Sequence, residues 1–215
     1  MGAPWLKSPG PVLLGTLSKG TVTIEWLTHF YAMPKPPNTV FKVWRGLPWH
    51  VGRNMIVRDA LNLGASYLMF LDTDVFPPAH AFPQLYYWRL PIVSGLYWSK
   101  RGYPAMWRAV PGSKEVRPIT EYSHNVLVQA DYVGMGVCLI DMRVFQFIPE
   151  PWFDWTLDRP DIPLSGFSED FFFCDNARRA GFPVYVDVNV QCLHEDTLPK
   201  DTKGQEAIYP GTERS

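Results

Sequence analysis

The chain has 215 residues, which is enough for one α/β domain with a substantial core. Its hydrophobic fraction of 47 % is typical of a globular protein and too high for a disordered one. The formal net charge of −1 gives no reason to expect nonspecific binding to nucleic acid or to an anionic membrane.

The sequence also predicts a cytoplasmic protein. No run of about 18 apolar residues is present, which argues against a membrane-spanning helix. Pro4, Pro9 and Gly10 interrupt the N-terminal segment, which therefore does not resemble a signal peptide. The three widely spaced cysteines are typical of buried free thiols in a reducing compartment, and the lack of a Cys-x-x-Cys pair argues against structural zinc.

The first half of the chain is predicted to alternate strands and helices. Strands are expected at 12–16, 40–44 and 67–71, and helices at 21–30 and 53–63, with Gly64 as the C-terminal cap of the second helix. The strand at 67–71 is a continuous apolar run, which indicates burial on both faces of a sheet.

The second half is predicted to be richer in loops. A short helix is expected at 79–90, strands at 92–97, 130–140 and 184–190, and loops at 99–125 and 149–167. A further helix is expected after Ser168 as its N-cap, running to Ala180 and stopping at Gly181. The whole indicates one Rossmann-like α/β domain at 1–198, with a mostly parallel central sheet flanked by helices, followed by a polar tail at 199–215.

Asp72 and Asp74 are the most informative residues. They follow the buried strand at 67–71, at the end of the strand where ligands bind in open α/β sheets. Two carboxylates in this position can bind one hard cation such as Mg²⁺ or Mn²⁺ through oxygen atoms. The same pattern also occurs as a solvated turn.

Two further sets of ionisable residues are candidates for chemistry. Glu169 and Asp170 follow Ser168 at a predicted helix start, where they act either as simple helix-dipole partners or as a general base for an acceptor hydroxyl. His194 lies just past the last predicted strand and is either an ordinary structural histidine or a third metal ligand.

Two arginines are candidate phosphate ligands. Arg53, followed by Asn54, opens the helix before the acidic strand, and a guanidinium can bind a diphosphate through two hydrogen bonds. Arg101 follows Tyr97 and Trp98 in a predicted loop and is a second candidate.

The order of these elements along residues 11–196 resembles the GT-A glycosyltransferases, especially short family-two-like enzymes. The resemblance rests on an ordered set of loose motifs: Arg53-Asn54, Leu71-Asp72-Thr73-Asp74, Gly95-Leu96-Tyr97, Gly134-Met135-Gly136, Glu169-Asp170 and His194. It implies transfer of a sugar from a UDP- or GDP-sugar to an acceptor hydroxyl on a glycan or small molecule, with Mn²⁺ or Mg²⁺ as cofactor.

The resemblance also implies roles for single residues. Asp72, Asp74 and His194 would bind the metal, and Asp72 also the sugar or ribose. Asp170, with Glu169 beside it, would be the catalytic base. The expected substrate-binding residues are Thr16, Arg53, Asn54, Asp72, Trp98, Arg101, Gly134 and Gly136, with the glycines letting the backbone approach the sugar. Trp107, Trp152 and Trp155 join Trp98 as candidates for stacking on the acceptor.

Three other readings stay open. A nucleotidyltransferase on the same fold would have a glycine-rich basic loop after the first strand, which residues 15–20 resemble only faintly. A haloacid-dehalogenase-like phosphatase is disfavoured because Phe76 stands where that family has Thr or Val. A nucleotide-sugar-binding module without catalysis is the third.

Overall fold

The computed structural model describes residues 10–99, 102–113, 115–123, 127–155 and 168–195. Together they form a mixed α/β fold, with one large sheet covered by helices on both faces. The helices are α1 (Ile24–Ala32), α2 (Trp49–Leu63), α3 (Ala81–Tyr87), α4 (Val144–Phe147) and α5 (Glu169–Arg179). The strands are β1 (Val12–Ser18), β2 (Thr39–Arg45), β3 (Tyr67–Leu71), β4 (Val75–Phe76), β5 (Ile92–Leu96), β6 (Met106–Ala109), β7 (Val116–Pro118), β8 (Leu127–Ala130), β9 (Tyr132–Val133), β10 (Val137–Asp141), β11 (Val184–Gln191) and β12 (Leu193–His194).

The large sheet has seven strands in the order β2-β1-β3-β10-β5-β11-β8. The strands β2, β1 and β3 are parallel neighbours, and so are β5 and β11. The strand β10 runs antiparallel between β3 and β5, and β8 is antiparallel to β11. The prediction of a mostly parallel sheet therefore fails in the centre and at the β8 edge, and the sheet is mixed.

Apolar side chains fill both faces of this sheet. Ile56 of α2 and Phe173 of α5 belong to the core on one face, and Trp26 of α1 and Phe82 of α3 belong to the core on the other. All four are at most 1 % exposed, and burying a side chain of this size stabilises the fold by about 1.5–3 kcal/mol. The strand at 67–71 is buried along its whole length, as its continuous apolar run predicts.

The helix α2 is longer than predicted but ends where expected. It begins at Trp49, directly after Pro48, rather than at Arg53. The sequence does not indicate this extra turn because Gly52, a poor helix former, lies within it. Glycine fits there because a Cβ at this position would lie 2.4 Å from the side chain of Leu17 in β1. Gly64 caps the other end with a left-handed φ of 66°, which glycine adopts without strain.

Two predictions in the second half of the chain are wrong. The predicted loop at 99–125 contains β6 and β7, which pair with each other while β6 also pairs with β9 in a small three-stranded sheet. The predicted single strand at 130–140 is divided into β9 and β10, with β8 ending at Ala130. The chain leaves extended pairing around Gly134 and Gly136, so one apolar run serves two sheets.

Other predictions lie outside the described residues: most of the loop at 149–167, Arg101 and the tail at 199–215. The three cysteines are free and buried, as expected. Within the described ranges, no helix has the length and apolar character needed to cross a membrane.

Candidate active site

The carboxyl ends of β1, β3 and β5 and the C-terminal part of β11 lie at one edge of the sheet because these strands share a direction. Asp72 follows β3 directly, and Tyr97 follows β5. The antiparallel strand β10 brings the preceding segment Gly134-Met135-Gly136 to the same edge, since Val137 pairs with Leu71. Residues far apart in sequence therefore meet here.

A buried arginine organises three carboxylates at this edge. Arg53 is 2 % exposed, and its guanidinium binds Asp72 through two hydrogen bonds, from Nη1 to Oδ1 at 3.3 Å and from Nη2 to Oδ2 at 3.1 Å. Its Nε lies 3.4 Å from Oε1 of Glu169 and 3.2 Å from Oδ1 of Asp170. We call Arg53, Asp72, Glu169 and Asp170 the acid cluster.

Helix geometry brings the acid cluster together. Arg53 lies in the second turn of α2 and reaches past Phe70 of β3, whose ring is 5.1 Å from the guanidinium carbon. Glu169 and Asp170 occupy the first turn of α5, where the helix dipole favours negative charge. Ser168 is the N-cap residue, as predicted, although its side chain makes no capping hydrogen bond.

The electrostatics of the acid cluster are unbalanced, because three carboxylates face one guanidinium. Burial lowers the pKa of Arg53, but the charges of Asp72, Asp170 and Glu169 raise it more, so Arg53 stays protonated. Burial raises the pKa of Asp170 from 3.8 to about 7; Arg53 opposes the rise, and the negative charges of Glu169 and Asp72 add to it.

A second pair of residues lies at the same edge. His194 is 8 % exposed, and its Nε2 lies 3.8 Å from Oδ2 of Asp74, whose side chain is 40 % exposed. Backbone pairing explains the approach: β12 pairs with β4 so that His194 lies opposite Val75, and the amide of Glu195 donates to the carbonyl of Asp74 at 2.8 Å. We call Asp74 and His194 the Asp–His pair.

The donor set of the Asp–His pair fits a divalent cation only in part. Carboxylate oxygen and imidazole nitrogen are both suitable ligands for Mn²⁺. Across the described ranges, however, no group of three or more His, Cys, Asp or Glu side chains is arranged to hold a metal. Asp72, the third predicted ligand, is turned toward Arg53. The chain offers two ligands here, so substrate oxygens and water would have to complete the shell, as they usually do for Mg²⁺.

The two aspartates therefore have different surroundings. The backbone of Asp72 is fixed on both sides, since its amide donates to the carbonyl of Gly136 at 2.9 Å and its carbonyl accepts from Nε1 of Trp26 at 2.9 Å. Its side chain is 17 % exposed, against 40 % for Asp74. Asp72 is the less exposed aspartate and is held by Arg53, whereas Asp74 is the more accessible one.

The glycines of the segment 134–136 make room for a side chain of the protein itself. A Cβ at Gly134 would lie 2.0 Å from the hydroxyl of Tyr97, and one at Gly136 would lie 2.9 Å from it. The amide of Gly136 donates to that hydroxyl at 3.1 Å, and the amide of Met135 donates to Oδ2 of Asp170 at 3.1 Å. The close approach predicted for a sugar is thus already made by Tyr97.

Thr16 and Asn54 are core residues in this structure. Thr16 is 1 % exposed and lies within β1, which continues to Ser18, so the strand end that faces a ligand comes two residues later. The side-chain amide of Asn54 donates to the carbonyls of His50 and Phe153, and its oxygen accepts from the amides of residues 152 and 153. This pattern gives Asn54 a structural role in anchoring the segment at 152–153.

The four tryptophans predicted to stack on the acceptor differ in exposure. Trp152 is 6 % exposed and Trp107 packs against Phe171, so both serve the core. Trp98 is half-buried, and its backbone bridges Pro104. Trp155 is 43 % exposed and is the most accessible of the four.

Sequence reasoning missed two features of the site. Tyr97 received no role, although the two glycines at 134 and 136 are a signal that a large side chain passes close to the backbone. The amide of Met135, which holds Asp170, leaves no trace in the sequence because any residue other than proline provides one.

Comparison with known proteins identifies the fold but no family. No protein-family model matches the chain, and no curated protein matches it. Among solved structures, the crystal structure of A197 from STIV is similar, with a TM-score of 0.63, 17 % sequence identity, and coverage of 86 % of this chain and 85 % of that one. At this identity the likeness extends to the fold alone.

Proposed function

We propose that the chain is a metal-dependent glycosyltransferase that moves a sugar from a nucleoside-diphosphate sugar, of the UDP or GDP type, to an acceptor hydroxyl. The observation that carries the proposal is the presence of the acid cluster and the Asp–His pair at one edge of the sheet. The acid cluster supplies a carboxylate with a raised pKa, and the Asp–His pair supplies an accessible carboxylate oxygen beside a buried imidazole nitrogen.

Glycosyl transfer needs a base for the acceptor hydroxyl. Asp170 suits this role because a general base works best when its pKa lies near the working pH, and its pKa is raised to about 7. Its Oδ2 accepts from the amide of Met135, while its Oδ1 has no hydrogen-bond partner among the described residues, although it lies 3.2 Å from Nε of Arg53. The carboxylate of Asp170, whose side chain is 16 % exposed, is the group to which we assign the hydroxyl proton.

The remaining members of the acid cluster orient this base. Arg53 fixes the distance between Asp72 and Asp170 by contacting both, and Glu169 adds negative charge that keeps the pKa of Asp170 high. When bound, a divalent ion on Asp74 and His194 would neutralise charge on the leaving diphosphate. Since Asp72 is held by Arg53, its role in this arrangement is to fix the loop that carries Asp74.

Turnover of candidate donors tests the proposal. Purified protein with Mn²⁺ is expected to release nucleoside diphosphate from a UDP- or GDP-sugar, slowly to water and faster when an acceptor glycan is present. Asp170→Asn should lower the acceptor-dependent rate by about 100-fold or more, because loss of a general base typically costs about 10²–10⁴. Glu115 is exposed and directly precedes β7. Glu115→Gln is therefore the matched control and should leave the rate unchanged. Failure to turn over any nucleotide-sugar would contradict the proposal.

A further inference from the structure

Tyr97 lies between the two halves of the candidate active site. Its ring stacks on the imidazole of His194, with centroids 5.8 Å apart and planes inclined by 10°. On its other side its hydroxyl accepts from the amide of Gly136 at 3.1 Å. The side chain is 8 % exposed, so it is packed rather than mobile at the surface.

The backbone of the segment that Tyr97 contacts is tied to the acid cluster by two hydrogen bonds. The carbonyl of Gly136 accepts from the amide of Asp72, and the amide of Met135 donates to the carboxylate of Asp170. Any shift of this segment therefore moves Asp72 and Asp170 together. A shift of the Tyr97 ring would also change the packing of His194.

The backbone of Tyr97 is itself fixed. Tyr97 follows β5 directly, and its carbonyl accepts from the amide of Ala105 at 2.8 Å, while Trp98 bridges Pro104. The space for its ring exists only because positions 134 and 136 are glycine, since a Cβ at 134 would lie 2.0 Å from its hydroxyl. The ring and hydroxyl of Tyr97 are thus packed tightly against the two glycines.

From these contacts we propose that Tyr97 is a positioning residue that sets the imidazole of His194 relative to Asp72 and Asp170. The ring acts on His194, and the hydroxyl acts on the segment 134–136. Its consequence for metal binding rests on the proposed function, whereas its effect on the imidazole does not. Removing the hydroxyl and removing the ring should therefore have separable effects.

The test compares Tyr97→Phe, Tyr97→Leu and the control Tyr86→Phe. Tyr86 is also buried, but its hydroxyl has no hydrogen-bond partner among the described residues, so its loss should change neither half of the site. Thermal unfolding establishes that each variant folds. The ring resonances of His194, assigned with His194→Gln, are followed by NMR without metal, and Mn²⁺ binding in the presence of nucleoside diphosphate is followed by EPR.

Tyr97→Leu should change the NOE contacts of the His194 ring with its other neighbours, because the ring that holds the imidazole is lost, and should weaken Mn²⁺ binding about tenfold, as loss of an outer-shell contact of a ligand histidine does. Tyr97→Phe keeps the stack, so His194 resonances and Mn²⁺ binding should stay as in the wild type while the catalytic rate falls. A folded Tyr97→Leu protein whose His194 ring keeps the NOE contacts of the wild type would overturn the inference. Lack of Mn²⁺ binding by the wild type would contradict the proposed function instead, and the NMR comparison would still decide the role of Tyr97.

Discussion

Arg53 and Asp72 face each other through a two-point contact, with nitrogen–oxygen distances of 3.3 and 3.1 Å, and the arginine is 2 % exposed. The sequence suggests that Arg53 binds the diphosphate of a substrate. In the structure its guanidinium is occupied by carboxylates of the chain, so its role is to hold Asp72, Glu169 and Asp170 in one place.

Replacing this arginine should destabilise the protein strongly. Arg53→Met leaves the buried Glu169 and the partly buried Asp72 and Asp170 without a cation, and breaking a buried ion pair typically costs about 3–5 kcal/mol. Arg53→Lys should cost less, since it keeps the charge but loses the two-point contact. Urea unfolding measures both.

Arg58 is the control for this prediction because it lies on the same helix. It forms an exposed ion pair with Glu150, and its side chain is 52 % exposed. Arg58→Met should change the free energy of unfolding by no more than about 1 kcal/mol. Equal losses for the two methionine variants would mean that the acid cluster does not need its arginine.

Asp170→Asn should make the protein more stable above neutral pH while it removes the base. The folded pKa of Asp170, about 7, lies above the ordinary 3.8, so the folded state holds the proton more tightly. The stability that this group contributes is therefore present below about pH 4 and is lost as the pH rises toward 7. The neutral amide avoids that loss.

Thermal unfolding of Asp170→Asn and wild type at pH 5 and pH 8 measures this difference. The melting temperature of the variant relative to wild type should increase with pH, by about 2–4 °C for each kcal/mol gained. A variant that is less stable than the wild type at pH 8 would show that the charged form of Asp170 is favoured in the fold, contrary to its raised pKa.

Gly134→Ala should destabilise the fold because of Tyr97. The added Cβ would lie 2.0 Å from the tyrosine hydroxyl, and overpacking of this kind costs about 1–3 kcal/mol. In a Tyr97→Phe background the nearest remaining atom is the ring carbon at 3.0 Å, so the cost should be smaller. A double-mutant cycle from urea unfolding gives this coupling, and strictly additive effects would contradict the contact.

Asp187 should be sensitive even to an isosteric change. It is fully buried, and its carboxylate accepts from Nε2 of Gln84, Nε1 of Trp88 and the amide of Asn189 at 3.0, 2.7 and 2.9 Å. Asp187→Asn turns one acceptor into a donor facing a donor, and leaving a buried polar group unpaired costs about 1–3 kcal/mol.

Chemical unfolding measures the effect, with the exposed Glu115→Gln as control. The control should change stability by less than about 0.5 kcal/mol. An equally small change for Asp187→Asn would argue that the α3 helix does not depend on this carboxylate. The pairing of β11 with β5 is irregular between Asp187 and Gln191. A large loss of stability would therefore indicate that Asp187 holds the segment that leads to His194.

The sequence predicts best the elements whose signals are local. The apolar run at 67–71, the left-handed cap at Gly64 and the helix from Glu169 to Arg179 depend on neighbouring residues, and the structure contains all three. The antiparallel insertion of β10 could not be predicted, because an apolar strand has the same composition in either direction.

In the candidate site, too, the sequence indicates local features but not contacts between distant residues. Asp72, Asp74, Asp170 and His194 are recognisable as acidic and imidazole groups near element ends. The partners of these residues cannot be recognised in the sequence. Arg53, for example, binds carboxylates of the chain rather than a ligand, and one of them, Glu169, lies 116 residues away. Tyr97 is hidden because its partners Gly136 and His194 lie 39 and 97 residues further along the chain.

Mn²⁺ binding in the presence of a nucleoside diphosphate tests the central claim most directly. EPR should detect Mn²⁺ bound to the wild type together with UDP or GDP, and Asp74→Ala should abolish that signal, while Glu115→Ala leaves it unchanged. Mn²⁺ binding that is the same in Asp74→Ala and wild type would contradict the account.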